Sequence, residues 1–255
     1  MKSSATSCVA MLVVAVLVSC SEGDPERVSA PQGPRARLLG AVPPAVAERG
    51  VYLFEPSAPD DLLPGSLAGP DLAVLLQGAE LVVESAVPPL VLAAGVPADA
   101  ELPEGAEMVD GILVAGAESS EVRAARERLQ DGVAPEGALA ELAAGEEAVG
   151  WAGPASVASS QAGDLGDVVI ALARRRFSAR VEAPDPERSI QAIGGALALD
   201  PVPSSPGKTW DALLTQQDLG VQGDAIVIGA RPKGFPGLLL RQLLDTRSLA
   251  FLASG

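Results

Sequence analysis

Few side chains in this chain have the types and spacing that chemistry needs. Ser205-Pro206-Gly207-Lys208 sets a hydroxyl and an amine three positions apart. On one helical turn, that separation lets a lysine activate a serine for acyl transfer. Here Pro and Gly fill the gap after Pro201 and Pro203, so a loop is predicted. Neither of the companion triplets, Lys-Thr-Gly or Ser-Asp-Asn, is present. Gly207-Lys208-Thr209 also ends like a phosphate-binding loop, but the glycine needed five positions earlier is Val202. Carboxylates pair at Asp60-Asp61, Glu146-Glu147 and Asp164/Asp167. They would serve as acid and base only if a cleft held them about 5–10 Å apart, and as a sequence they predict solvated surface. Arg174-Arg175-Arg176 is the one basic cluster. It predicts a hairpin turn or exposed edge, its charges paired with local carboxylates. Trp151 and Trp210 are expected to be core anchors.

What is missing excludes more. The 255 residues contain no histidine and no asparagine, and the two cysteines are Cys8 and Cys20. No serine-histidine triad, cysteine-histidine pair or histidine-ligated zinc can be assembled from this chain alone. Eighteen basic against 33 acidic side chains give a net charge of −15, which argues against nucleic acid as a partner. Aromatic residues make up 3%, too few for a stacking platform, and the core must be built from Val, Leu, Ile and Ala. No catalytic residue, cofactor or metal site is expected, and the chain does not read as an enzyme.

The N-terminus is more specific. Lys2 is followed by Val9 to Val18, ten apolar residues without a break. Ten is half of the roughly 20 that a membrane-spanning helix needs, but it suits the apolar core of a secretory signal. That core ends in Leu17-Val18-Ser19-Cys20. The tetrapeptide resembles the bacterial lipobox, and the chain in this respect resembles the envelope lipoproteins of GC-rich bacteria. The resemblance implies cleavage before Cys20 and a diacylglycerol thioether on its sulfur. The protein would then be anchored by lipid at the extracytoplasmic face of the cell membrane. Cleavage would discard Cys8 and acylation would consume the remaining thiol, an economical outcome for an exported chain with unpaired cysteines.

Three segments follow from this reading: a signal peptide at 1–19, a lipid-anchored tether at 20–37, and a soluble body at 38–255. If the body divides into two lobes, the boundary falls near 145–165. The tether is expected from SEGDPERVSAPQGPRAR, rich in proline and charge, with Val28 its only large apolar residue. A body this acidic is repelled by anionic head groups and should stand off the membrane.

For the body the pattern predicts an α+β fold, with mixed sheets and covering helices. Strands are expected at Val51–Phe54, Met108–Ala115, Asp167–Ala173, Phe177–Glu182 and Asp224–Ala230. Leu72–Leu76 and Leu81–Val83 fit either helix or strand, and the adjacent prolines in Val87–Val96 argue against a central strand there. Helices are expected from Ser119 to Gly132, over Ala138–Ala144, from an Asp185 cap with Pro186 in the first turn, and from Thr209 through Leu219. The C-terminus, with a helix over Pro236–Leu244 and a strand over Ser248–Ala253, predicts a β-α-β unit with parallel strands and a buried Phe251. Asp110-Gly-Ile-Leu-Val-Ala and Asp224-Ala-Ile-Val-Ile-Gly form a faint internal echo. The expected function is a membrane-anchored binding or scaffolding domain with an envelope protein partner. Two alternatives are a small-ligand or lipid carrier with an apolar cavity and a carboxylate-dependent envelope hydrolase.

Overall fold

A computed structural model describes residues 33–58, 70–86, 89–117, 119–158, 164–173, 175–199 and 207–233. Ten strands are formed there. The first five are β1 (Val51–Phe54), β2 (Leu81–Ala86), β3 (Pro89–Ala94), β4 (Ala106–Val109) and β5 (Ile112–Gly116). The second five are β6 (Val149–Pro154), β7 (Asp167–Ala173), β8 (Arg176–Glu182), β9 (Leu214–Gln222) and β10 (Ala225–Pro232). All ten join one sheet in the order β4-β5-β3-β2-β1-β6-β7-β8-β10-β9. Counted outward from the middle, each half has the same order: three strands in sequence, then a hairpin whose second strand pairs inward. The halves meet where β1 pairs with β6, Leu53 opposite Gly150.

This corrects the expected fold class. The protein is mostly β, and every described pairing is antiparallel, so the sheet is neither mixed nor the base of a balanced α+β fold. The expected C-terminal β-α-β unit is also overturned at its first strand. β10 is flanked by β8 and β9, both antiparallel to it, and no edge is left for an adjacent parallel strand. The helix over 236–244, the strand over 248–253 and Phe251 lie outside the described residues. Apolar residues on both faces of a strand suggest a parallel sheet. In β10 one face, with Ile226 and Ile228, lies in the core, while the other, with Val227 and Gly229 half-buried and Arg231 exposed, is only partly covered, so the strand is not enclosed on both sides.

One side of the sheet carries Tyr52, Val82, Leu113, Trp151, Ile170, Phe177 and Ile228 in a single buried cluster that runs across both halves. Ile193 and Leu197 of α7 (Pro186–Leu199) and Trp210 of α8 (Trp210–Leu213) complete it. On the other side Val51, Leu53, Leu81, Val83 and Leu92 are buried against three helices. These are α1 (Pro34–Ala41), α4 (Ser119–Asp131) and α5 (Gly137–Ala144), contributing Leu38, Leu39, Ala125, Leu129 and Leu142. Short helices α2 (Pro44–Ala47), α3 (Pro70–Leu76) and α6 (Ala155–Ala158) fill connections.

Several local expectations are met. Asp185 Oδ1 accepts the backbone N–H of Arg188 at 3.2 Å and caps α7 as its sequence predicts. Gly132 follows α4 with φ +63°. Others are not. Met108–Ala115 is two strands, because Asp110 and Gly111 take φ of +48° and +78° and turn a two-residue hairpin. Val87–Val96 does hold a central strand, β3, which tolerates Pro89 because proline is its first residue. The helix expected through Leu219 stops at Leu213, and β9 takes over at Leu214. Helix α1 opens at Pro34, inside the stretch that reads as tether. Its Arg35 donates to the backbone carbonyls of Gly145 and Glu147, the latter at 2.9 Å.

Candidate functional site

The cleft with the best claim to a function lies where the two halves meet. It forms because α1 sits very close to the connection between α4 and α5. A Cβ added at Gly40 would come within 2.0 Å of the Val133 carbonyl oxygen, so only glycine fits. Helix α1 ends there, and its terminal carbonyls need donors. Arg128 Nε on α4 donates to Gly40 O at 2.9 Å and supplies one. Val42-Pro43-Pro44 then redirects the chain, and α2 starts with Pro44 in its first turn. Between α2, the N-terminus of α5, and the end of β6 this leaves a cleft of about 290 Å³.

Small and apolar side chains form its floor: Val42, Ala47, Ala138, Leu139, Ala152 and Gly153. Gly153 is constrained as tightly as Gly40, since a Cβ there would meet Gly50 Cα at 2.6 Å and the Trp151 ring at 2.8 Å. Three carboxylates line the cleft, Glu48, Glu136 and Asp167, against one guanidinium, Arg128. Glu48 and Glu136 are exposed and Asp167 is half-buried. Asp167 is the first residue of β7, and its Oδ2 would lie 3.6 Å from a Cβ on Gly137, the opening residue of α5. Helix α5 has no side-chain cap, so a carboxylate beside its positive end is favourable. The cleft as a whole is therefore apolar below and net negative at its mouth.

The residues singled out in the sequence are scattered around the fold. Cys20, Asp60, Asp61 and Ser205 lie outside the described residues. Lys208 is exposed, and the Thr209 hydroxyl donates to Asp211 just ahead of α8. Arg175 and Arg176 sit at the β7–β8 hairpin, as a turn there requires. Arg174 is outside the described residues. Glu146 is exposed, while Glu147 contributes its carbonyl to Arg35. Asp164 is exposed in the turn before β7, apart from the role of Asp167 in the cleft. Trp151 and Trp210 are both fully enclosed core residues.

Sequence reasoning missed Glu48, Glu136 and Arg128 as neighbours of Asp167. Glu48 follows α2, Arg128 lies in the last turn of α4 and Glu136 precedes α5, and no local spacing joins them to Asp167. It also missed Glu84, buried on β2 opposite Tyr52 and Val91. A single acid in the run LVVESA was the only available signal. Among the described residues, no three Asp, Glu, His or Cys side chains are grouped to hold a metal ion. Nor is any described helix long and apolar enough to cross a membrane.

No protein-family model matches the chain, and no curated protein matches it. Among solved structures, crystal form I of TP0453 superposes with a TM-score of 0.49 at 10% identity, covering 82% of this chain and 97% of that one. Crystal form III of the same protein gives a TM-score of 0.46 with the same identity and coverage.

Proposed function

We propose that this chain is a lipid-anchored envelope lipoprotein whose body is a binding or scaffolding domain at the extracytoplasmic face of the membrane. The observation that carries the anchor is Leu17-Val18-Ser19-Cys20 at the end of a ten-residue apolar run. Two or more acyl chains on Cys20 would hold the protein stably, where one chain gives only marginal attachment. The binding reading rests on the body. Both sides of the sheet's first half are filled by side chains, and the cleft between the halves opens to solvent with a charged rim.

The cleft's size favours this reading over a lipid carrier. Its roughly 290 Å³ sits at the bottom of the range of about 300–1,000 Å³ found for ligand pockets. That volume suits a side chain or a small group better than an acyl chain. On this reading the protein is not an enzyme and takes no cofactor.

Metabolic labelling with a radioactive fatty acid tests the anchor. The wild type should carry label and sediment with membranes, and Cys20→Ala should lose both. A Cys20→Ala protein that still labels and sediments would sink the proposal.

A further inference from the structure

We propose that the cleft between the halves receives one arginine side chain presented by a protein partner. This rests on reading the body as a binding domain and adds the chemistry of what it binds. Charge complementarity over an apolar floor points to that occupant. Glu48 and Glu136 lie exposed at the mouth, and Asp167 stands deeper beside the start of α5. The one cation of the lining, Arg128, is already tied through Nε to Gly40 O, where it serves the end of α1. Arg128 keeps its charge, but three carboxylates against one guanidinium leave the lining net negative, which favours an entering positive charge.

The floor selects among cations. Ala47, Leu139 and Ala152 offer apolar surface to whatever passes the rim. A small hydrated ion gains nothing from such a floor. An arginine does, because its three methylenes lie on apolar surface while its guanidinium stays with polar groups. Its planar fork also suits two carboxylates better than the point charge of a lysine. Arginine is among the side chains that most often dominate protein interfaces. The charge of −15 on the whole chain would speed the approach of a basic partner.

The test is fluorescence anisotropy with the full chain in detergent and a labelled, N-acetylated pentapeptide Ala-Leu-Arg-Leu-Ala amide. The double variant Glu48→Gln/Glu136→Gln should weaken binding about tenfold, as two partly exposed ion pairs would. Ala47→Leu, which fills the cleft without touching a charge, should also weaken it. Thermal melts followed by tryptophan fluorescence should show each variant folded. Glu101→Gln/Glu104→Gln removes two exposed acids from the loop between β3 and β4 and should leave binding unchanged. A peptide with citrulline for arginine, equal in shape but uncharged, should not bind. Equal loss in the two double variants, equal binding of citrulline, or no binding to the wild type would each overturn the proposal. Photo-crosslinking in the native envelope, from position 139 and from positions on the other faces, separates this failure from that of the binding reading. A partner captured only from other faces refutes the cleft and keeps the binding domain, whereas no partner from any face refutes both.

Discussion

At Gly40 a single missing methyl group decides how α1 meets the rest of the molecule. The Val133 carbonyl would lie 2.0 Å from an added Cβ, and backbone cannot yield as a side chain would. Gly40→Ala should therefore destabilise by about 1–3 kcal/mol, the usual cost of overpacking, or more, measured as a drop in the urea midpoint. A midpoint equal to wild type would mean that α1 moves freely. A milder effect is expected at Asp185. Its carboxylate accepts from Arg188 N–H, and Asp185→Ala should cost about 1 kcal/mol in the same measurement. These two residues also differ in how readable they are. Asp185 announces itself, an acid before Pro186 and an apolar face at helical spacing. Gly40 does not, since its constraint comes from Val133, 93 positions on in the chain.

At the scale of elements, the turns decided what periodicity could not. Asp110-Gly111 is a strong hairpin signal, yet the apolar residues on both sides of it read as one strand. With φ +78° at position 111, Gly111→Val should cost about 1–2 kcal/mol and lower the thermal midpoint, while the nearby Met108→Leu should do little. Strand β9 was illegible for another reason. LTQQDLGVQ carries weak alternation, and Thr209 before Trp210 mimics the start of a longer helix. Pairing with Ile226 and Ile228 of β10, which is tertiary information, makes it a strand. The start of α1 was hidden by composition, because Pro34 and Arg35 suit a linker as well as a first turn. The structure makes the two uses separable. Removing residues 21–32 should leave the melting temperature unchanged, whereas extending the deletion through Arg37 should lower it by several degrees, since Arg35 bonds to Gly145 and Glu147. Equal melting temperatures would place the start of the folded body later than Pro34.

For the whole molecule, the equal strand order of the two halves gives the faint echo between Asp110 and Asp224 a structural counterpart. Asp110 turns the β4–β5 hairpin and Asp224 ends the β9–β10 turn, each leading into the strand that pairs inward. Their shared buried cluster argues that the halves melt together. Circular dichroism and Trp210 fluorescence should give coincident urea transitions in Trp151→Ala, shifted by about 3–5 kcal/mol from wild type. Two separate transitions would show instead that each half holds itself up.

The central seam also has a kinetic meaning. Most pairings in the sheet are hairpins or near neighbours in the chain, and closing such loops is quick. The pairing of β1 with β6 joins Leu53 to Gly150 and must wait for α3, α4, α5 and four strands to be made between them. Loop closure over that span adds an entropic cost before any contact repays it. During synthesis, β1 would already be paired with β2 while its other edge stayed bare until β6 emerged. The middle of the finished sheet is thus an open edge while the first half stands alone, and for that interval it is where another chain could add a strand.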